Sequence, residues 1–185
     1  MKKLLFVFAI VFSFGVNAQS ISESICYRVD DFSDEKSLSA DTVILYKDNG
    51  DMKSEGIVLS LFLYEDKKGQ IDLNRTILYA SVKGLDTCVD EGSPLAVILE
   101  DGNKFELRNS NDFDCDGTNY FRLNSSQIKL FGSSKIKALR YTNNRDYETM
   151  TVKDNINEDN NSLIFNVLNE ILKVNNGQMT IGVCE

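Results

Sequence analysis

Three aspartates alternate along one short segment, and their side chains could together bind a metal ion. Asp112, Asp114 and Asp116 are followed at once by Gly117. Alternate side chains of a tight loop converge on one point, and oxygen ligands of this kind are the ones that calcium prefers. The glycine allows the sharp turn that such a loop needs. The spacing therefore predicts a calcium site at these three aspartates, with a structural rather than a catalytic role.

Residues 112–117 resemble the start of an EF-hand-like calcium loop, in which positions 1, 3 and 5 supply ligands. The resemblance covers these six residues only. The position that should supply a bidentate glutamate is occupied by Leu123. Calcium would therefore need further ligands from elsewhere in the chain.

The four cysteines bear on both the compartment and the fold. Cys26, Cys88, Cys115 and Cys184 are widely spaced, and the chain contains no histidine. A zinc site or a thioredoxin-type motif would lack its usual ligands. In an oxidising compartment, an even number of cysteines predicts two disulfides, with three pairings open.

A tight hairpin is predicted around the Asp-Gly pair at residues 101–102, because this pair supplies the positive φ angles of a two-residue turn. In that register Ile98 lies opposite Phe105, and Ala96 lies opposite Leu107. These apolar pairs fall on one face, which would be the core face.

The same register, carried outward along both arms, brings Cys88 opposite Cys115. We therefore favour the pairing Cys88–Cys115, which leaves Cys26–Cys184 to join the two ends of the exported chain. A bridge that closes so long a loop could stabilise the fold by about 4 kcal/mol. The Cys88–Cys115 pairing would also bring further acids towards the 112–117 loop: Asp86, Asp90 and Glu91. These acids could bind a cation, or water could screen them as an exposed acidic surface.

Eight short segments have the length and composition of β-strands, with polar turns between them. Such spacing indicates antiparallel sheets joined by hairpins. In the segment 57–64, Ile57, Leu59, Leu61 and Leu63 alternate with other residues, so one face is core and the other is at least partly covered. The predicted strands are residues 24–30, 42–47, 57–64, 76–82, 95–100, 104–108, 136–142 and 147–152.

One strong helix is predicted over residues 162–174. It carries a single apolar stripe with helical spacing: Ile164, Val167, Leu168, Ile171 and Leu172. The stripe could bind a partner, but we favour packing on an open sheet face, which a small β domain needs to cover. A shorter helical turn is predicted over residues 125–131. The expected fold class is mainly β: an antiparallel β-sandwich or curled sheet with one C-terminal amphipathic helix.

The first eighteen residues have the pattern of an export signal. Two lysines precede an apolar run that is shorter than the about 20 residues of a membrane-spanning helix. The run ends at Val16 and Ala18, whose side chains suit the positions that a signal peptidase reads. We expect residues 1–18 to be a signal peptide and residues 19–185 to be one exported domain without a membrane span. The expected localisation is secreted or periplasmic.

Composition argues against several classes of function. The formal net charge is −8 and no cluster of lysine and arginine is present, so nucleic-acid binding is not expected. The absence of histidine excludes Ser-His-Asp and Cys-His catalysis. Phosphate-binding glycine loops and nucleophile-elbow motifs are also absent. No catalytic or cofactor-binding residue is therefore predicted, apart from the candidate calcium loop.

Three functions stay open. The leading one is an exported, disulfide-stabilised binding or structural domain, whose partner is an extracytoplasmic protein or a glycan. A hydrolase that acts on glycosides is disfavoured because the chain lacks tryptophan, the residue that usually stacks on sugars, although Tyr120 and Tyr141 could take its place. The alternatives are a carboxylate-dependent secreted hydrolase and an acidic inhibitor or immunity-type protein. A cleft with two acids would favour the hydrolase, and an exposed apolar patch would favour the binding domain.

The general layout also carries a resemblance. An export signal, a β-rich body with an Asp-Gly hairpin, the segment Lys-Ile-Lys-Ala-Leu-Arg-Tyr at 135–141 and a terminal amphipathic region follow one another. This layout resembles uncharacterised small exported proteins of Bacteroidetes-type Gram-negative bacteria. The resemblance implies no particular activity.

Overall fold

A computed structural model describes residues 20–33, 36–40, 43–46, 56–83, 85, 88–112, 115, 117–153, 156 and 158–184. The predicted signal peptide, residues 1–18, lies outside the described residues. None of the helices described is long and apolar enough to cross a membrane. The described elements are β1 (Ser20–Val29), β2 (Lys36–Ala40), β3 (Val43–Tyr46), β4 (Gly56–Phe62), β5 (Thr76–Lys83), β6 (Pro94–Leu99), β7 (Lys104–Arg108), β8 (Thr118–Leu123), α1 (Ser125–Phe131), β9 (Ile136–Thr142), β10 (Thr149–Lys153), α2 (Glu158–Asn175) and β11 (Met179–Val183).

The described strands form three sheets. Two have four strands, in the orders β3-β4-β5-β8 and β10-β9-β6-β7, and all their neighbouring strands are antiparallel. The third has the order β11-β1-β2, and in it β11 runs parallel to β1. The predicted fold class is confirmed: the chain is mainly β, with antiparallel pairing and a C-terminal helix.

Both four-stranded sheets contribute buried side chains to a single core. On β4, Ile57, Leu59 and Leu61 are buried, as their alternation predicted, and Leu95 and Val97 are buried on β6. Fully burying a side chain of this size stabilises the fold by about 1.5–3 kcal/mol relative to leaving it in water. Because successive side chains of a strand point to opposite faces, the residues between these buried ones lie on the other face of each sheet and do not contribute to this core.

The turn between β6 and β7 differs from the predicted two-residue turn. Leu99 donates its backbone N–H to the carbonyl of Asn103 at 2.9 Å, so the loop between them has three residues, 100–102. Of these three, Gly102 alone has a positive φ, 90°. A two-residue type I′ turn needs positive φ at both central residues, whereas a type I turn followed by a bulge needs it only at the last.

This loop shifts the register of the hairpin by one residue from the predicted one. Leu95 pairs with Leu107, and Val97 pairs with Phe105. The predicted pairs of Ile98 with Phe105 and Ala96 with Leu107 are therefore wrong. Because a shift of one residue exchanges the two faces of a strand, the core face carries the odd-numbered residues of β6.

The amphipathic helix α2 packs against the core. Its apolar stripe is buried at Ile164, Val167, Leu168 and Ile171. The helix is also held by a buried acid, since a carboxylate oxygen of Glu170 accepts the backbone N–H of Ser24 in β1 at 2.8 Å. The stripe therefore covers the fold, as favoured from the sequence, and is not available to a partner.

Three strands were not predicted: β2, β8 and β11. They contain few long apolar residues. β2 pairs with β1, the preceding strand, whereas β8 and β11 depend on pairing with strands far away in the chain. The strand β8 pairs with β5, more than thirty residues earlier, and β11 pairs with β1 at the opposite end of the described chain. Local pattern alone does not identify such segments.

The structure contains two disulfides, Cys26–Cys184 and Cys88–Cys115. These are the pairings that the sequence favoured, although the hairpin register used for the second is not the one observed. The first joins β1 to the residue after β11, where the backbone N–H of Cys184 also donates to the carbonyl of Tyr27 at 2.8 Å. Both ends of the described chain are thereby fixed to the same sheet.

Tyr141 of β9 is a core residue, with 1% of its surface exposed. Its hydroxyl and the carbonyl oxygen of the Asn119 side chain have no hydrogen-bond partner among the described residues. Burial raises the pKa of Tyr141 above 10.0, and the nearby side chains of Ser93 and Asn119 oppose this shift only in part. The prediction that Tyr141 could stack on a sugar is therefore wrong, because its ring does not reach the surface.

We expect Tyr141→Phe to raise the free energy of unfolding by about 1 kcal/mol at neutral pH, because it removes a buried hydroxyl without a partner. The advantage should grow above about pH 10, where tyrosine ionises in the unfolded chain while folding still favours the neutral phenol. Urea unfolding at pH 7 and pH 10.5 measures both effects. Tyr147→Phe is the control, because Tyr147 is 80% exposed. A loss of stability at pH 7 would show that the hydroxyl is hydrogen-bonded.

Candidate functional site

The candidate calcium loop lies mostly outside the described residues. Asp112 is described and exposed, whereas Asp114 and Asp116 are not among the described residues. Within the described ranges, no group of three or more histidine, cysteine, aspartate or glutamate residues could hold a metal ion. Calcium binding therefore stays a prediction of the sequence.

The outward face of the β3-β4-β5-β8 sheet has an unusual composition. Because successive side chains of a strand point to opposite faces, the residues between the buried ones of β4, β5 and β8 point away from the core. The register places Ser60 beside Tyr79 and Tyr79 beside Tyr120, so that three neighbouring strands contribute to one line. The outward residues are Val58, Ser60, Phe62, Ile77, Tyr79, Ser81, Thr118, Tyr120 and Arg122.

Four rings form a continuous line across this face, which we call the aromatic row: Phe62, Tyr64, Tyr79 and Tyr120. The ring centroids of Tyr79 and Tyr120 are 4.4 Å apart, and those of Phe62 and Tyr64 are 4.9 Å apart, in both cases edge to face. Phe62 and Tyr79 connect the two pairs at 5.9 Å. Aromatic pairs in such geometry attract each other, so the neighbours hold each ring in place.

The row is accessible to solvent. Phe62 is 43% exposed, and the three tyrosines are half-buried. The pKa of Tyr79 lies above its usual 10.0 because of burial and because of the neighbouring phenols of Tyr120 and Tyr64. At physiological pH the Tyr79 hydroxyl is therefore neutral and can donate as well as accept a hydrogen bond.

Two arginines lie at one end of the row. The guanidinium carbon of Arg75 is 4.4 Å from the centroid of the Tyr64 ring, a cation–π contact. Arg122 follows the row on β8, opposite Ile77. Both arginines are exposed, and neither has a carboxylate partner among the described residues. They line one hollow of about 200 Å³ together with Tyr64, Asn74 and Ile77.

Arg75 is presented by a structured loop between β4 and β5. A side-chain oxygen of Asp66 accepts the backbone N–H groups of Lys68 at 2.7 Å and Gln70 at 3.0 Å, and Gly69 closes the turn with φ 74°. These hydrogen bonds hold the pKa of the Asp66 carboxyl below its usual 3.8, and the one from Gln70 contributes most. The turn is therefore stabilised at neutral pH and loses this contribution only as pH falls through that lowered pKa.

Helix α2 holds the same loop from the other side. The side chain of Asn175 accepts the backbone N–H of Ile71 at 2.9 Å and donates to the carbonyl of the same residue. Further along, the backbone N–H of Asp72 donates to the backbone carbonyl of Tyr64 at 2.8 Å. The backbone N–H of Arg75 donates to the backbone carbonyl of Asp72 at 3.0 Å. The backbone on which Arg75 stands is thus fixed before any ligand arrives.

Two further hollows lie beside the row. An open one of about 460 Å³ is lined by small and hydroxyl-bearing residues as well as rings: Val58, Ser60, Leu61, Phe62, Tyr79, Ser81 and Thr118. Another, of about 240 Å³, lies on the other side of Phe62 and Tyr64 and contains one carboxylate, that of Glu65. The rings therefore lie between an arginine-lined hollow and a hydroxyl-lined one.

The sequence identified only part of this surface. Tyr120 was predicted as a stacking residue and lies in the row, but Tyr79, Arg75 and Arg122 were not selected. The available signal was an aromatic residue on the non-core face of each of three strands. It was incomplete because β8 was not recognised as a strand.

The chain matches no protein-family model, no curated protein and no solved structure. The candidate site is therefore defined by the geometry of the aromatic row and its two arginines.

Proposed function

We propose that this chain is an exported binding domain that holds a carbohydrate chain on its aromatic row. The observation that carries the proposal is the continuous line of four accessible rings across three strands, with hydrogen-bonding groups on both sides. Soluble monomeric proteins rarely leave a contiguous apolar patch exposed without a binding role.

A carbohydrate suits the chemistry of this face better than other polymers. The C–H groups of a sugar ring form an apolar face that packs on an aromatic ring, while its hydroxyl rim needs hydrogen-bond partners. The rings supply the apolar contact, and side chains in two of the hollows can supply the hydrogen-bonding groups: Ser60 and Ser81 in one, and Asn74 in the other. Nucleic acids also stack on rings, but their affinity comes mainly from lysines and arginines that contact successive phosphates along a groove. The hollows along this face contain two arginines, both in the same hollow, so most phosphates would have no cationic partner.

A binding role also fits the surface better than glycoside hydrolysis. Hydrolysis of a glycosidic bond by the usual mechanism needs two carboxyl groups on opposite sides of the bond. The three hollows around the row contain a single carboxylate, Glu65. An acidic inhibitor would bind its partner through carboxylates, whereas this face presents arginines.

Export is supported by two independent features. The disulfides Cys26–Cys184 and Cys88–Cys115 are typical of proteins from oxidising compartments. The sequence of residues 1–18 predicts a signal peptide that would deliver the chain there. We place the domain in the periplasm or the medium, where it would meet polysaccharides of a cell surface or the environment.

The test is the double substitution Tyr79→Ala and Tyr120→Ala, assayed with purified polysaccharides by affinity electrophoresis and calorimetry. Loss of one aromatic stacking partner costs about 1–3 kcal/mol for nucleobases. If sugars stack similarly, the dissociation constant should rise at least about tenfold, since 1.4 kcal/mol corresponds to a factor of ten.

Phe32→Ala is the matched control, because Phe32 is a fully exposed aromatic residue in the turn after β1 and is not part of the row. Melting temperatures of all variants show whether the fold is kept. Two results would contradict the proposal: no binding of any neutral or acidic polysaccharide by the wild type, or equal binding by the wild type and the double variant.

A further inference from the structure

The charge at one end of the aromatic row is opposite to that of the whole chain. The formal net charge is −8, yet the hollow at this end is lined by Arg75 and Arg122 and by no acid. Neither arginine has a carboxylate partner within the described chain. An exposed guanidinium that is not neutralised by the protein is free to pair with a ligand.

We infer that the carbohydrate held on the row is acidic, and that a carboxylate of one sugar residue enters the hollow between Arg75 and Arg122. This inference rests on the proposed function and adds the chemical class of the ligand. The hollow of about 200 Å³ is large enough for one sugar residue and its acid group. The ligand is therefore a polysaccharide that contains uronic acids.

The geometry of Arg75 favours a carboxylate. Its guanidinium carbon lies 4.4 Å from the centroid of the Tyr64 ring, and none of the described carboxylates pairs with its N–H donors. The planar donor pair of arginine matches the two oxygens of a carboxylate, which lysine does not do. Arg122 supplies a second donor group to the same hollow, and Asn74 supplies an amide for a hydroxyl.

The site is also organised in advance. The loop that presents Arg75 is fixed by the turn at Asp66 and by the contacts of Asn175 with Ile71. The rings of the row are fixed by one another. Groups that are ordered before binding lose less entropy when a ligand arrives, so a small surface can bind usefully.

The remaining negative charge of the chain affects the conditions of the measurement. At low salt it would repel a polyanion at long range, whereas at 0.15 M salt charges more than about 8 Å apart are largely screened. The direct contacts with Arg75 and Arg122 are within that distance. Acidic polysaccharides should therefore bind at physiological salt.

The experiment compares two polymers that differ only in the acid group: polygalacturonate, and the neutral galactan made from it by carboxyl reduction. Binding to the protein with both disulfides formed is measured by calorimetry at 0.15 M salt. A chelator is present, so that calcium cannot bridge the polymer and the protein. We expect polygalacturonate to bind about tenfold more tightly than the reduced polymer, as charge-assisted hydrogen bonds allow.

The variants identify the groups responsible. Arg75→Gln and Arg122→Gln should each remove most of the preference for polygalacturonate while leaving the weaker binding of the neutral galactan. Arg122→Lys should keep only part of the preference for polygalacturonate, because lysine keeps the charge but not the planar donor pair. Arg140→Gln is the control, since Arg140 is an exposed arginine of the other four-stranded sheet.

The outcomes separate the inference from the proposed function. Equal binding of both polymers, lost in Tyr79→Ala, would overturn the acidic ligand and keep the carbohydrate surface. No binding of either would overturn both. Equal or tighter binding of dextran sulfate would show that the hollow does not select carboxylates, and tighter binding of single-stranded DNA would identify a nucleic-acid surface; each overturns the inference.

Discussion

Replacing both Cys26 and Cys184 with serine is expected to lower the free energy of unfolding by about 5 kcal/mol. The bridge between them spans 158 residues, so its removal releases nearly the whole described chain in the unfolded state. It is also next to the only parallel pairing among the described sheets, β1 with β11. Urea unfolding of the oxidised variant measures the loss.

The matched control is the corresponding double serine variant of Cys88 and Cys115. This bridge spans 27 residues, and a shorter loop gives a smaller entropic effect, about 3 kcal/mol on the same chain-entropy argument. Hydrogen exchange should show that loss of the first bridge exposes the amides of β11 before those of the four-stranded sheets. A larger loss of stability on removing Cys88–Cys115 than on removing Cys26–Cys184 would contradict the assignment of Cys26–Cys184 as the main constraint.

The second large effect is expected for Phe121→Ala, which should cost about 3–5 kcal/mol of unfolding free energy. Phe121 is completely buried in the middle of β8, and its ring is among the largest fully buried side chains described. Its truncation leaves a cavity that the two surrounding sheets can fill only in part. Chemical denaturation, with the slope of the transition compared between variants, measures the cost.

The neighbouring Arg122→Gln serves as the control in the same strand. The side chain of Arg122 is exposed and makes no hydrogen bond or ion pair with the described residues, so its replacement should change stability by less than about 0.5 kcal/mol. The contrast tests whether the face that we assign to ligand binding is free of a structural role. A large loss of stability in Arg122→Gln would remove that distinction.

Local sequence patterns predicted most elements well. The alternation in Ile57, Leu59 and Leu61 corresponds to the buried face of β4, and the helical stripe of α2 corresponds to its contact with the core. The short helix α1 has the predicted bounds, with Ile128 buried as expected. These features depend on residues a few positions apart, whose spacing is determined by the geometry of a strand or helix.

Register and pairing between distant segments were harder to predict. The β6–β7 hairpin was assigned the wrong turn because Asp-Gly is compatible with two loop types, and the backbone angle at Asp101, which is not positive, distinguishes them. The strand β8 was missed because its outward residues are polar or aromatic and its core residues are few. Its identity depends on pairing with β5, which no local window contains.

From the sequence alone we could determine the mainly β class, the C-terminal amphipathic helix and the exclusion of histidine-dependent chemistry, because these follow from composition and short-range periodicity. The even number of cysteines predicted two disulfides, but the pairs were favoured from a hairpin register that the structure corrects. The aromatic row could not be derived in that way. Phe62, Tyr79 and Tyr120 come from three strands that are separated along the chain, and Arg75 comes from a loop that α2 holds in place. Only the tertiary structure decided that these side chains share one face, because strand order and register are set by the packing of the whole core.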